Sequence, residues 1–360
     1  MKIAVISSYA FINDNNNFGA LLQYYALQKC LKKRKNSVFW IRNVVPKNKL
    51  KFILKKLYDL KSFKLFLCWL RSHNGFMNFV EKHLEVSEVY NSFEQLCMCP
   101  PIADLYITGS DQVWGSDKMK ENYLLFAPNG TPRISYAASF GKNQLPMKME
   151  ETIKPWLAKF SSISVREQSG VEICAKMGFV AKHLLDPTLL IAANEYPSKE
   201  VPRFSNLYIY GYFLNVNKLG DIYWSQVENF AKDSGKELHV VAVQGAEKLF
   251  PHSLLCSPTP EEWLTDYRFA DYIITNSFHG TVFALIHHRP FVTILQNGAS
   301  KEQNERMLSL LKTFEMENRI WDGSTDLAHI LNENIDWQYF ETIKNNKVND
   351  SYEFFKENYI

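Results

Sequence analysis

Short apolar runs rich in β-branched residues alternate along this chain with longer segments whose apolar positions recur every three or four residues. The first pattern predicts buried strands and the second predicts amphipathic helices. Residues 3–7 form the first run. A polar loop over 9–17 follows, and then the periodic segment 18–31, for which Asn17 is a suitable N-cap. Strands are expected at 39–42, within the strand-to-loop stretch 103–110, at 132–139 and at 163–165, with a helix beginning near Gln168. From 207 the alternation becomes regular: strands at 207–213, 238–243, 272–275 and 291–295, with helices at 221–234, 260–269, 279–288 and 302–314. Strands and helices joined by short loops predict an α/β fold of parallel, doubly wound sheets flanked by helices.

One stretch organises the rest. Ala270-Asp-Tyr-Ile-Ile-Thr-Asn-Ser277 runs from a predicted strand into a predicted helix, with His279, Gly280 and Thr281 at the helix start. Ligands of open α/β sheets bind at this kind of place, because free amides and the helix dipole face the crevice. An imidazole there titrates in the physiological range when unperturbed. Ala103-Asp-Leu-Tyr-Ile-Thr-Gly-Ser110 repeats the pattern Ala-Asp-x-x-Ile-Thr-x-Ser 167 residues earlier, and continues into Asp111, Gln112 and Trp114. Two such units predict two similar α/β domains, each presenting a loop at a strand end.

With 360 residues the chain exceeds what one core usually supports, so two domains are expected. Residues 1–190 form the first, carrying a basic helical insertion at about 47–85. Residues 191–206, broken by Pro197 and Pro202, read as the linker, and 207–335 form the second domain. An aromatic, charged helix over 336–360 is expected to cross back onto the first domain.

Net charge is only +3, but its distribution is uneven: positions 32–73 hold thirteen Lys or Arg and one acidic residue, Asp59. Within 47–71, lysines interleaved with Phe52, Phe63, Phe66 and Trp69 point to an anionic membrane surface or a diphosphate-linked lipid. A solvated basic face around a core-packing helix is the alternative. Nothing matches a nucleic-acid reader module. The six cysteines have no CxxC spacing, so reduced thiols in a cytoplasmic protein and no metal site are expected. No run is long enough to span a bilayer.

Three further features bear on chemistry. Gly19 permits close approach at the start of the first helix. Arg166 follows the strand at 163–165, where its fork of donors suits a carboxylate or phosphate. Asp186-Pro187 reads as a turn.

The segments Asn17-Phe-Gly-Ala-Leu-Leu-Gln23, Gly109-Ser-Asp-Gln-Val-Trp114, Ser164-Val-Arg-Glu167, Asp186-Pro-Thr-Leu189 and Asn276-Ser-Phe-His-Gly280 together resemble the polysaccharide pyruvyltransferase family. That resemblance implies two Rossmann-like domains in a GT-B-like arrangement around an interdomain cleft. It implies transfer of the enolpyruvyl group of phosphoenolpyruvate, a co-substrate with no further cofactor, onto a sugar hydroxyl pair. The product would be a pyruvate ketal of a cell-surface glycan such as a capsule or exopolysaccharide.

Under this reading His279 is the expected general acid and Asp111 the base. Arg166, Ser277, Gly280, Thr281 and Arg306 are expected to hold the donor, and Asn17, Gly19, Gln23, Ser110 and Gln112 to line the substrate site. Where many members have Arg-Leu-His-Gly, this chain has Ser277-Phe278-His279-Gly280, so Arg166 or Arg306 is expected to supply the missing charge. The basic segment favours a polyprenyl-diphosphate-linked acceptor and a place on the inner face of the membrane. A nucleotide-sugar glycosyltransferase of the same architecture and a non-catalytic glycan-binding scaffold are the competing functions.

Overall fold

The computed structural model describes residues 1–8, 17–43, 57, 63–243 and 245–360. In the first domain, β1 (Lys2–Ile6) pairs in parallel with β2 (Ser37–Asn43) on one side and β4 (Leu105–Thr108) on the other. With β3 (Val86–Tyr90) and β5 (Arg133–Ser135) the order is β3-β2-β1-β4-β5. The parallel pair β6 (Ile163–Val165) and β7 (Ala181–His183) continues this layer through the bridges Ile134↔Ser162 and Ala138↔Val165. In the second domain β8 (Tyr208–Leu214), β9 (Glu237–Val243), β10 (Tyr272–Thr275) and β11 (Phe291–Thr293) form a parallel sheet ordered β11-β10-β8-β9.

The repeated sequence unit is also a repeat in space. β4 and β10 each pair with the first strand of their own sheet, on the side where the strand order reverses. Ligands of doubly wound sheets bind at this switch point. Every residue of β4 and of β8 is buried, so these central strands have both faces covered and read as continuous apolar runs.

Two helices tie the domains together. Phe63–His83, on the chain of the first domain, reaches across to the second: Ser72 Oγ donates to the Pro258 carbonyl at 2.6 Å, and Arg71 pairs with Glu262. At Gly75 an added Cβ would lie 2.6 Å from Thr259 Cγ2, so the glycine lets this helix meet the second domain. Phe18 completes the seam, 4.9 Å from the Phe76 ring and stacked at 5.0 Å on Trp263. The helix Trp337–Glu357 begins on the second domain, with Trp337 stacked on His288 at 4.8 Å, and ends on the first, with Phe355 stacked on Tyr136 at 4.8 Å.

These contacts bear on the basic insertion. Lys47, Lys49, Lys51, Lys55, Lys56, Lys61 and Phe52 lie outside the described residues. In the described helix Phe66 and Trp69 are buried in a satellite cluster with Leu57 and Leu70, whereas Phe63 is 67% exposed. From Phe76 onward the helix belongs to the main core. Among the described residues no helix is long and apolar enough to cross a membrane.

Candidate active site

The two switch points face each other across the interdomain cleft. On the first domain Ser7 Oγ, at the end of β1, donates to the Ser110 carbonyl at 2.6 Å, joining the ends of β1 and β4. Asp111 follows with φ 85°, a left-handed backbone that few residues other than glycine adopt; its Oδ1 accepts from the Gln112 amide at 2.9 Å. On the second domain the Asn276 side chain clasps the end of β8, accepting from the Leu214 amide at 2.9 Å and donating to its carbonyl at 2.7 Å. Ser277 then caps the helix Phe278–Ile286 by accepting from the Gly280 amide at 3.3 Å.

Buried charge collects where these loops meet. Arg166 Nη1 donates to Asp186 Oδ2 at 2.7 Å, and its Nη2 lies 3.6 Å from Asp111 Oδ1. Ser110 Oγ donates to the same Asp186 oxygen at 2.9 Å, and Asp186 Oδ1 accepts from the Thr188 amide and hydroxyl at 3.0 and 2.6 Å. His279 Nε2 stands 3.4 Å from Asp186 Oδ2, close enough to pair but out of line for a hydrogen bond, so this buried nitrogen has no bonded partner. On the ring's other side lies Gly19, where an added Cβ would come within 2.0 Å of His279 Nδ1. The first helix therefore needs glycine here so that the imidazole of the other domain can fit.

A cavity of about 350 Å³ opens beside this cluster. Ser8, Asn17, Asp111 and Gln112 line it from the first domain, and Asn215, Ser277, Phe278, His279, Gln303 and Arg306 from the second. The two arginines divide their work differently from the expectation. Arg166 is not part of the lining: it lies behind, its guanidinium 4.3 Å over the Phe278 ring, committed to Asp186 and Asp111. Among the described residues Arg306 is the arginine that lines the cavity, 3.9 Å from Asp111 and held by Gln303 Oε1 at 3.3 Å.

Other expected residues occupy supporting positions. The Gly280 amide is used by the Ser277 cap and the Thr281 amide donates to the Ser277 carbonyl at 2.9 Å, so neither is free for a donor. The Thr281 hydroxyl is fully buried against Thr293 at 2.7 Å. Among the described residues, the amides left without a partner at this helix start are those of Phe278 and His279. Gln23 is fully buried, donating to Ser7 Oγ at 2.7 Å and to the Ala20 carbonyl at 3.1 Å, and Ser110 is buried beneath Asp186. Asn17 caps the first helix, accepting from the Ala20 amide at 3.1 Å, and still borders the cavity.

The electrostatics favour an incoming anion. Burial pushes the Asp111 carboxyl up, but Arg166, His279, Arg306 and the Gln112 amide outweigh it and hold the group below the usual carboxylate range. Asp186 is held lower still: His279, Arg166 and Thr188 overcome its burial. Glu167 goes the other way, raised by burial although Arg166 and the Gly141 amide oppose it. Arg306 is pushed down to about 10 by burial and by repulsion from Arg166. An anion bound beside Arg306 would offset both effects.

Asp186 is the main member of this buried cluster that the sequence reading took only for a turn residue. Asp-Pro reads as a turn, and the residue does cap one, with Pro187 opening a 3-10 helix. Only the fold shows that the same carboxylate joins Arg166, Ser110 and His279. Among the described residues no group of His, Cys, Asp and Glu is arranged to hold a metal.

The fold resembles several solved structures. S. aureus MnaA with UDP superposes with TM-score 0.54 at 9% identity, over 92% of this chain and 86% of that one. The glycotransferase of kitacinnamycin gives 0.53 at 14%, over 97% and 95%. The UDP-GlcNAc 2-epimerase of Methanocaldococcus jannaschii with UDP-GlcNAc and UDP gives 0.52 at 12%, over 95% and 98%. At such identities the likeness concerns the fold alone, which is GT-B-like. No curated protein sequence matches the chain. The family described as polysaccharide pyruvyl transferase matches residues 17–297, a span that includes Gly19, Asp111, Arg166, Asp186 and His279. The chain belongs to the polysaccharide pyruvyl transferase family.

Proposed function

We propose that the protein transfers the enolpyruvyl group of phosphoenolpyruvate to a pair of sugar hydroxyls, forming a pyruvate ketal on a cell-surface glycan. The observation that carries this reading is the buried convergence of His279, Asp111 and Arg306 on one interdomain cavity in a chain of this family. The reaction needs a proton at the terminal methylene carbon, a cationic site for phosphate, and a base for the attacking hydroxyl.

His279 delivers the proton. The residue lines the cavity, with Asp186 3.4 Å from its Nε2 and Gly19 against its Nδ1 fixing the ring between them. Protonating the methylene makes a methyl group and leaves the adjacent carbon electron-poor. The first hydroxyl adds to that carbon and gives its proton to Asp111. A carboxylate held below its usual range is a weak base, which suits a hydroxyl that becomes acidic only as its bond to the cationic carbon forms. The second hydroxyl then adds as the carbon–oxygen bond to phosphate breaks. Arg306 and the Phe278 and His279 amides receive the phosphate, which leaves with the second hydroxyl's proton. One proton enters the methyl group and two leave the diol, so the products are the ketal and hydrogen phosphate.

A peripheral role at the inner membrane face with a polyprenyl-diphosphate-linked acceptor is part of this proposal and rests on the charge of positions 32–73. A nucleotide-sugar reaction is the second reading, favoured by the likeness in fold to proteins solved with UDP. Thermal stability separates the two: phosphoenolpyruvate should raise the melting temperature and UDP should not. His279→Ala should abolish phosphate release in the presence of acceptor while keeping the melting transition. Near-normal turnover would remove His279 from the mechanism.

A further inference from the structure

Beside the cavity that holds His279 and Arg306 is a second one, of about 390 Å³, lined by Gln112, Ser116, Met119 and Lys142 from the first domain and by Glu302 and Gln303 from the second. Gln112 and Gln303 are the two residues that line both. The groups suited to a trianion, namely Arg306 and the free amides of the capped helix, belong to the inner cavity. The outer one is of another kind.

Its polar groups are of mixed sign. Lys142 and Glu302 come from opposite domains, and among the described residues neither Lys142 Nζ nor the Glu302 carboxylate has a hydrogen-bond or ion-pair partner. Ser116, Met119 and, at its floor, the buried Val113 and Phe140 also line the cavity. Such a lining offers donors and an acceptor to hydroxyls and an apolar face to carbon-bound hydrogens, while presenting no cluster of cations for a phosphate. The boundary is fixed: Gly141, at φ 64°, would put an added Cβ 2.3 Å from Gln112 Nε2, so the glutamine side chain lies directly against this turn. The Gln112 backbone N–H in turn donates to Oδ1 of Asp111, the base invoked above, at 2.9 Å.

We propose that the outer cavity is the acceptor subsite, that it takes a pyranose ring, and that Gln112 selects the hydroxyl presented to Asp111. This rests on the pyruvyl-transfer reading for the identity of the acceptor, and its test is independent of turnover. A methyl hexopyranoside carrying an alkyl diazirine is photolysed with the full chain, and the labelled peptide is identified by mass spectrometry. Label is expected within residues 112–119, 140–142 or 302–303, and it should persist when phosphoenolpyruvate is present.

Ser116→Trp, which fills the outer cavity, should reduce labelling at least about tenfold, a change of about 1.4 kcal/mol in binding. Its melting temperature, and the shift that phosphoenolpyruvate causes, should stay those of the parent. Lys142→Ala should weaken labelling without filling the space. Labelling elsewhere, labelling no stronger than on an unrelated protein, or labelling indifferent to both substitutions overturns the proposal. Loss of the phosphoenolpyruvate shift in the parent chain would instead count against the donor assignment alone.

Discussion

Replacing Gly19 with alanine would place a methyl group 2.0 Å from His279 Nδ1 and 2.3 Å from Cγ, inside the ordinary contact limit of 3.4 Å. The imidazole would have to retreat by about 1.4 Å, or the first helix would have to lift from the second domain. Misplacing a catalytic group by about 1 Å costs on the order of a hundredfold in rate, so Gly19→Ala should lower kcat by about that factor, near 2.7 kcal/mol of barrier. The backbone at Gly19 does not require glycine, and alanine is favoured in helices by up to about 1 kcal/mol, so the loss should not arise from poor helix formation. Phosphate release from phosphoenolpyruvate with acceptor gives kcat, and thermal melting gives the fold. Unchanged kcat with an unchanged melt would refute the claim that the ring works pinned against this helix.

Three other outcomes follow from the same geometry. Asp186→Asn strips the partner from a buried guanidinium, so a loss of about 3–5 kcal/mol is expected in urea unfolding, together with loss of phosphate release; a loss under about 1 kcal/mol would show that Asp111 alone compensates Arg166. Asp266 is pushed up to about 7 by burial, with Glu262 adding to it and Arg203 and Tyr210 opposing it, from an ordinary value of 3.8. The folded state therefore holds this proton more tightly, and its stabilising contribution, complete below pH 3.8, is lost as pH rises through 7. Asp266→Asn should flatten the melting temperature between pH 5 and 8 relative to the parent, and an unchanged slope would contradict the assignment. Changing Lys51, Lys55, Lys56 and Lys61 together to Gln should reduce sedimentation with anionic vesicles; equal sedimentation would end the membrane proposal.

The central strands, such as β4, β8 and β10, were legible because they are buried and so read as unbroken apolar runs. The repeat of Ala-Asp-x-x-Ile-Thr-x-Ser was legible too, and it marks the two strand ends that face each other in the fold. β3 escaped that reading because it is half exposed, with a Ser and a Glu among its five residues. The helix Met147–Leu157 escaped because Pro155 sits inside it.

At the site, sequence position could say that Arg166 and Arg306 were both near an anion. It could not say which one faces the cavity, because that depends on Asp186 reaching Arg166 from a separate turn. Thr281 and Gly280 were expected to offer amides from a helix start. Ser277 caps that start with its side chain and accepts from both residues, which moves the free donors to Phe278 and His279. The basic insertion read as a surface element, yet its described part is a bracket: of the described aromatic residues that looked suited to lipid, Phe66 and Trp69 are buried in a satellite cluster and only Phe63 is exposed, while Phe76 and Phe79 further along the helix join the main core.

The most direct test of pyruvyl transfer is mass spectrometry of lipid-linked and free surface glycans after incubation with isotopically labelled phosphoenolpyruvate and the protein. A labelled pyruvate ketal, formed with stoichiometric phosphate release and absent with His279→Ala, is the predicted result. No labelled product, alongside transfer of a sugar from a uridine diphosphate donor by the same preparation, would contradict it.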